Sequence, residues 1–507
     1  MKRIERHLQH VTSCVSFHIE SDDDDADDGG ITNEDESDEN CNVADKLKTQ
    51  TLRSDDGPTK FINVGDNTSI SSNSDIKGSP TTCDNNGKYK HANVRRHLPP
   101  GSGKHSVGCV DIMDDQTDDG LFFRLFYPVE KTDVFERHTQ WPLWLPRKQY
   151  GHGYAKFLKK KPTKFLGKLF NWLGGDVYIP ALWQAPVLEG SERVPVVVMS
   201  HGIGGNRTSY SAYCCELASH GFIVAAVEHR DGSASMTYQL KDNIRASVAE
   251  VPRDRTGGRS TRSSMVRSHS FKEEWKSFEH VDGLGIRWND YEYRNRQVHQ
   301  RGRECSKLLD LLTDINNGIS VRNCLGFNFN LKQFKGRLDL AKAAVVGHSF
   351  GGSTVVTTLA DDSRFRMGIM LDPWMHPLNK ELCQRVEQPI LVIAYEKFQW
   401  RENVEQFDWL KMAGKDRRII TIRGACHQAV SDFQFIVNKY LGRLMMVRSD
   451  LSPKIAMELN RRASLSFLGK HLDLNDFDQN DDVIKAQHEL IIEGGAYARL
   501  VCPEPEV

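Results

Sequence analysis

Ala343-Ala344-Val345-Val346-Gly347-His348-Ser349-Phe350-Gly351-Gly352 is an apolar run that passes through a serine set between glycines and continues into a helix-competent run through Leu359. The run Ala343 to Val346 reads as a strand. The flanking glycines exclude side chains from a tight strand-to-helix turn, so the serine oxygen projects above the strand end with a helix N-terminus beneath it. A string this short recurs by chance, and its flanks give it meaning.

Such an elbow demands an acid and then a histidine later in the chain, each where a strand ends. Asp372 follows the apolar run Met367 to Leu371, and His427 follows the run Ile419 to Ile422 through Arg423, Gly424, Ala425 and Cys426. Asp361, Asp362, Asp408 and Asp416 are rival acids, but they lie in polar segments suited to solvated surface, and His376 reads as a surface or lid residue. A second oxyanion donor is expected from an early loop after a buried strand. Val196 to Met199 supply the strand and Ser200-His201-Gly202-Ile203-Gly204-Gly205 the loop, so the backbone amides of Ile203 and Phe350 are the expected donors and His201 fixes the loop. Further strand-like runs at Leu121 to Pro128 and Ile390 to Ala394, and an amphipathic helix over 293–315, separate these pieces. Strands alternating with helices predict an α/β chain, an α/β-hydrolase fold with a mostly parallel central sheet flanked by helices.

At 507 residues with 39% hydrophobic and 27% charged side chains, the chain is lean in apolar content, which predicts a sizeable disordered part. That part is expected in residues 1–97, an acidic run from Asp22 to Glu39 followed by a Ser/Thr/Asn-rich stretch, in an Arg/Ser-rich insertion at 252–273, and in a tail at 496–507. The catalytic domain is expected at 98–495. A net charge of -1 offers no basic footprint for nucleic acid. The eleven cysteines have no metal-site spacing, and the start of the chain carries neither an apolar signal core nor a glycine after Met1. Free thiols in the cytoplasm, no metal and no cofactor are therefore the expectation. Gly101-Ser102-Gly103-Lys104 lacks the preceding strand and the Ser or Thr that a phosphate loop needs.

Lys156 to Leu173 interleaves lysines with large apolar groups. After Pro162 the residues Phe165, Leu166, Leu169, Phe170 and Leu173 recur at helical spacing beside Lys164 and Lys168. A stripe of this kind serves a core or a lipid surface, and Phe165, Leu169 and Trp172 are the candidates for a membrane interface.

With these residues in view, the sequence closely resembles the platelet-activating-factor acetylhydrolases of the group VII phospholipase A2 kind, in both plasma and intracellular forms. The likeness spans about residues 98–494 and rests on Pro99 to Gly103, Ser200 to Gly202 with Arg207, Ser209 and Tyr210, and Leu217 to Asp231. It continues through the elbow, Leu371-Asp372 with Trp374, Pro377 and Leu378, then Gly424, His427, Gln428, Asp432 and Phe433, and Ala463 to Leu468. The resemblance implies Ser349 as nucleophile, Asp372 as acid and His427 as base. It also implies calcium-independent cleavage of short or oxidised acyl chains at the second glycerol position, and a helix resting on a peripheral membrane or lipoprotein-like surface. No obligate protein partner is implied. The acidic leader, the Arg/Ser insertion and the missing anchor signals depart from the family and bear on location and regulation. A general carboxylesterase or lipase of the same fold is the nearest alternative, since fold does not choose a substrate. A non-catalytic scaffold would give no reason for serine, acid and histidine to stand in this order.

Overall fold

The computed structural model describes residues 94–495 except 159–162, 191, 249–264, 281–289, 439, 441 and 443–446. Twelve strands are described: β1 (Ser106–Met113), β2 (Phe122–Val129), β3 (Leu182–Trp183), β4 (Val194–Ser200), β5 (Ile223–Val227), β6 (Met236–Val248), β7 (Met265–Ser277), β8 (Leu338–His348), β9 (Phe365–Leu371), β10 (Ile390–Tyr395), β11 (Arg417–Ile422) and β12 (Ile491–Glu493). Ten of them form one sheet in the order β12-β11-β10-β9-β8-β4-β5-β2-β1-β3. The six strands from β11 to β5 run parallel, whereas β2, β1 and β12 join antiparallel.

The central strands read as unbroken apolar runs because both sheet faces are covered. Val197, Met199, Ala344 and Val346 pack into one core, and Val196, Val198, Ala343 and Val345 into the other. The main helices are α1 (Lys148–Phe157), α2 (Thr163–Gly174), α3 (Ser211–Ser219), α4 (Tyr291–Asn317), α5 (Phe350–Asp361) and α6 (Pro453–His471). Apolar positions of α4 and α5 fill one core, and those of α3 and α6 fill the other. The helix expected over 293–315 is α4, which ends where Gly318 adopts a left-handed conformation, φ 79°.

The segment boundaries differ in part from expectation. Residues 1–93 of the expected leader, and the tail at 496–507, lie outside the described residues. Residues 94–97 belong with the fold, since Arg96 donates to the Ile436 carbonyl at 2.7 Å and His97 bridges Tyr178. Of the Arg/Ser-rich stretch, 252–264 lies outside the described residues, whereas 265–273 lies in β7, which corrects the expectation of a disordered insertion through 273. Residues 265–277 pair in register with 236–248, and the facing pair Tyr238 and Trp275 brings its rings to 4.7 Å. Ladder hydrogen bonds and one aromatic pair hold a ribbon whose composition alone is polar. The seven described cysteines are free and buried.

Candidate functional site

Ser349 stands at φ 56°, ψ -116°, between β8 and α5, in a region that non-glycine residues rarely occupy. The turn that imposes this is tight: a Cβ on Gly347 would strike the Gly351 carbonyl, and one on Gly351 would strike the Ser200 carbonyl. Hydrogen bonds fix the turn to its neighbour, from Ser349 N to the Leu371 carbonyl at 3.0 Å and from Trp374 N to the Ser349 carbonyl at 3.1 Å. Asp372 follows β9 at φ 44°, with its N–H on the Ile393 carbonyl at 2.7 Å. Adjacent parallel strands thus deliver serine and aspartate to the same sheet end, where ligands of such sheets bind.

The loop after β11 brings His427 onto that carboxylate, with Nδ1 2.7 Å from Asp372 Oδ2. The other oxygen, Oδ1, accepts the Tyr395 N–H at 2.8 Å, so the carboxyl group has one orientation. Nδ1 is thereby occupied and Nε2 is the nitrogen left to take a proton. The Phe398 ring stacks on the imidazole at 3.5 Å between centroids. Burial pushes the His427 ring down to about 3, which keeps it neutral and able to accept a proton. Burial pushes Asp372 well up, against the opposing pull of the Tyr395 N–H.

The loop after β4 lies against the serine, since a Cβ on Gly202 would come within 3.2 Å of Ser349 Cβ. Among the described residues, no hydrogen bond engages the Ile203 or Phe350 amide. These are the two N–H groups expected as oxyanion donors. Two residues that the sequence left without a role, Tyr210 and His348, tie this loop to the histidine loop. The Gly202 N–H donates to Tyr210 Oη at 3.1 Å, Tyr210 O–H lies 2.8 Å from His348 Nδ1, and His348 Nε2 lies 2.8 Å from the His427 carbonyl. A donating Nε2–H leaves Nδ1 as acceptor of the tyrosine hydroxyl, so the relay has one consistent direction. Asp432 is a further brace. Its carboxylate accepts the Ser211 and Ala212 N–H groups at the start of α3, at 2.7 and 2.9 Å, and the Trp144 indole N–H at 3.0 Å. His348 and Asp432 stand in strings that the sequence comparison used, but nothing in their spacing announces these partners.

The rival acids are engaged elsewhere. Asp361 pairs with Arg385 at 2.7 Å, Asp362 with Arg364 at 2.7 Å, Asp408 with Lys411 at 2.6 Å and Asp416 with Lys470 at 2.6 Å. His376 faces Asp290 at 3.2 Å. Among the described residues no cluster of His, Cys, Asp and Glu could hold a metal ion, and no helix is long and apolar enough to cross a membrane.

The apolar stripe of α2 divides. Phe170 and Leu173 are buried, Leu166 and Leu169 pack half-buried against the same core, and Phe165 and Trp172 stay 65% and 74% exposed. Leu169 therefore leaves the set of outward candidates, because a stripe of five residues is wider than the face α2 presents. Phe165 and Trp172 share that face with exposed Lys164 and Lys168. The preceding helix α1 ends on Phe157, whose ring closes on Gly204 of the loop after β4, so the α1–α2 pair borders the site.

Comparison with known proteins supplies the chemical context. Residues 90–491 match the family described as platelet-activating factor acetylhydrolase, isoform II. Platelet-activating factor acetylhydrolase of Canis lupus familiaris is 40% identical over 405 residues, 80% of this chain and 84% of its own length. The Gallus gallus protein of the same name is 38% identical over 401 residues, covering 78% of this chain and 89% of its own length. A putative phospholipase A2 of Schizosaccharomyces pombe is 23% identical over 389 residues, covering 68% and 82%. Among solved structures, the ferulic acid esterase of Streptomyces cinnamoneus superposes with a TM-score of 0.50 at 18% identity, over 78% of this chain and 99% of its own, a likeness of fold alone.

Proposed function

The chain belongs to the platelet-activating factor acetylhydrolase family, an assignment that makes it a serine hydrolase acting on esters, and on that premise we propose that it cleaves the short or oxidised sn-2 acyl ester of platelet-activating factor and related phospholipids without calcium. One observation carries the reading: a strained serine shares the sheet end with a neutral, buried histidine whose Nδ1 is bound to a carboxylate.

In this reading His427 Nε2 takes the Ser349 proton as the oxygen attacks the acyl carbonyl. Asp372 holds the Nδ1–H tautomer and stabilises the imidazolium as it forms. The charge that develops on the carbonyl oxygen is met by the Ile203 and Phe350 amides, so the step has its electrostatic partner in backbone donors and needs no calcium ion. Collapse of the tetrahedral species expels the lysophospholipid alkoxide, protonated by His427. The same imidazole then activates water to release the carboxylate from Ser349.

Substrate reaches the site from a lipid surface, and α2 is suited to meet it. Phe165 and Trp172 offer apolar and interfacial contact, and Lys164 and Lys168 attract anionic headgroups. The test is a hydrolysis panel with calcium chelated, varying sn-2 acyl length and including a triacylglycerol, on wild type and Ser349→Ala. Preference for short acyl phospholipids, abolished in the variant, supports the proposal. Equal or better turnover of triacylglycerol would replace it with a general lipase.

A further inference from the structure

We propose that Arg301 is a positioning residue for the oxyanion hole, setting both donor amides with a single buried guanidinium. The inference rests on the assignment of Ile203 and Phe350 as donors. Arg301 is fully buried on α4, at a point where Gly302 lets that helix approach α5 closely, a Cβ there lying only 2.9 Å from Thr357 Cγ2. An unpaired charge at such a depth is strongly unfavourable, so its partners define its task. Nε donates to Asp231 Oδ2 at 3.0 Å and Nη2 to Ser233 Oγ at 2.7 Å, while the Ser233 hydroxyl donates to the remaining Asp231 oxygen. These bonds lock the guanidinium plane.

The rest of the group faces the reaction. Nη1 donates to the His201 carbonyl at 2.7 Å, one peptide before the Gly202–Ile203 bond. The guanidinium carbon lies 4.4 Å from the Phe350 ring centre, over the residue that carries the other donor. The His201 ring completes the set. Its Nε2 accepts the His229 N–H at 3.2 Å, which leaves the proton on Nδ1, and Nδ1 donates to the Gly202 carbonyl at 2.7 Å, with Arg301 Nη2 lying 3.2 Å from the same nitrogen as a close neighbour. In a trans peptide the C=O and N–H point in opposite directions. Drawing the Gly202 carbonyl toward His201 therefore turns the Ile203 N–H away from it. Burial first, then the neighbouring Arg301 charge, keeps the His201 ring neutral in this tautomer. Glu304, one helical turn beyond Arg301, holds His229 Nδ1 at 2.5 Å, and His229 Nε2 in turn meets Ser200 Oγ at 2.8 Å. Helix α4 thus grips the loop from two successive turns.

The decisive variant is Arg301→Lys, which keeps the charge beside Asp231 but cannot reach Ser233, the His201 carbonyl and the Phe350 face together. The expected result on a soluble short-acyl ester is a kcat lowered by about 100-fold with KM within about twofold, the pattern of a donor lost only in the transition state. Affinity for a trifluoromethyl ketone should fall in parallel, because Ser349 adds to its carbonyl and the resulting oxyanion needs the same two amides. A folded variant with unchanged kcat, a loss confined to KM, or a lower kcat with undiminished ketone affinity overturns the proposal. If Arg301→Lys lacks a cooperative thermal transition, Ser233→Ala replaces it. That variant keeps the ion pair and should lose roughly five- to tenfold in kcat and ketone affinity together, and no loss there is equally fatal. Ser349→Ala is measured alongside. Turnover surviving in that variant would refute the serine mechanism itself, whereas an inert Ser349→Ala beside a fully active Arg301→Lys refutes only the role of the arginine.

Discussion

Replacing Asp372 by asparagine should cost activity without costing the fold, and the hydrogen bonds around the carboxyl group say why. Oδ1 accepts the Tyr395 N–H at 2.8 Å, so an asparagine must place its carbonyl oxygen there and its NH2 at the Oδ2 position, facing His427. A donor now confronts Nδ1. The imidazole responds by moving its proton to Nε2, which preserves a hydrogen bond at Nδ1 and leaves packing unchanged, but Nε2 can then no longer accept from Ser349. By analogy with the same substitution in serine proteases, the expected loss in kcat is about 10⁴-fold, equivalent to about 5.5 kcal/mol of transition-state stabilisation. The assay is kcat on a soluble short-acyl ester, run beside thermal unfolding. Asp361→Asn and Asp408→Asn are the controls, since both residues are exposed and paired with Arg385 and Lys411. More than a tenth of wild-type turnover in Asp372→Asn, or a greater loss in either control, would refute the reasoning.

The acid limb of kcat/KM should lie below the ordinary histidine value of about 6.5, because the neutral His427 that accepts the proton is held near 3 by burial; half-loss of activity at pH 6.5 or above overturns this. The same shift has a sign for stability: the unfolded chain takes up a proton that the buried ring refuses, so the His427 contribution falls as pH drops from about 6.5 toward 3, opposite in sign to that of the raised Asp372, and is read as the difference in urea midpoints between wild type and His427→Gln across that range. Phe165→Ser and Trp172→Ser should weaken sedimentation with anionic vesicles while sparing hydrolysis of monomeric substrate, whereas Leu169→Ser should lower thermal stability instead; unchanged partitioning of both exposed variants removes α2 from the interface. Asp432→Ala removes a helix cap and orphans the buried Trp144 N–H, a loss of about 3 kcal/mol by urea unfolding, and a change under about 1 kcal/mol would show that water replaces the carboxylate.

The elbow was legible because its geometry tolerates few residue types: glycine at 347 and 351 and a serine between them write the turn into the sequence. Five of the six parallel strands, all but β5, were legible for a related reason, since burial on both faces leaves long apolar runs. Strand β1 was not, because Asp111 and Gly108 interrupt its pattern. Asp111 is nonetheless buried, satisfied by Arg124 at 2.6 Å on the facing strand β2 and by Arg207 at 2.8 Å from a distant part of the chain. Strand β7 was missed because its order comes from a partner, not from its own arginines and serines. On α2 the helical period was plain, but which apolar residues face outward depends on the core it packs against. Arg301 shows the limit most clearly. A sequence records an arginine on a polar helix, and only the fold brings it to the His201 carbonyl and the Phe350 ring.

The antiparallel edge strand β12 gives the molecule an order of assembly. It pairs residues 491–493 with 420–422, and Arg423 N donates to the Leu490 carbonyl at 2.8 Å, so the strand that leads into His427 is fastened by chain made much later. During synthesis the nucleophile and both oxyanion donors emerge first, then the acid, then the base, and the base's platform last of all. Until residues 490–494 have been added, β11 carries an open edge beside the loop that holds His427. Completion of the sheet is thus the last step that stiffens the strand leading to the base, after Asp372, His348 and Phe398 have taken hold of His427 itself.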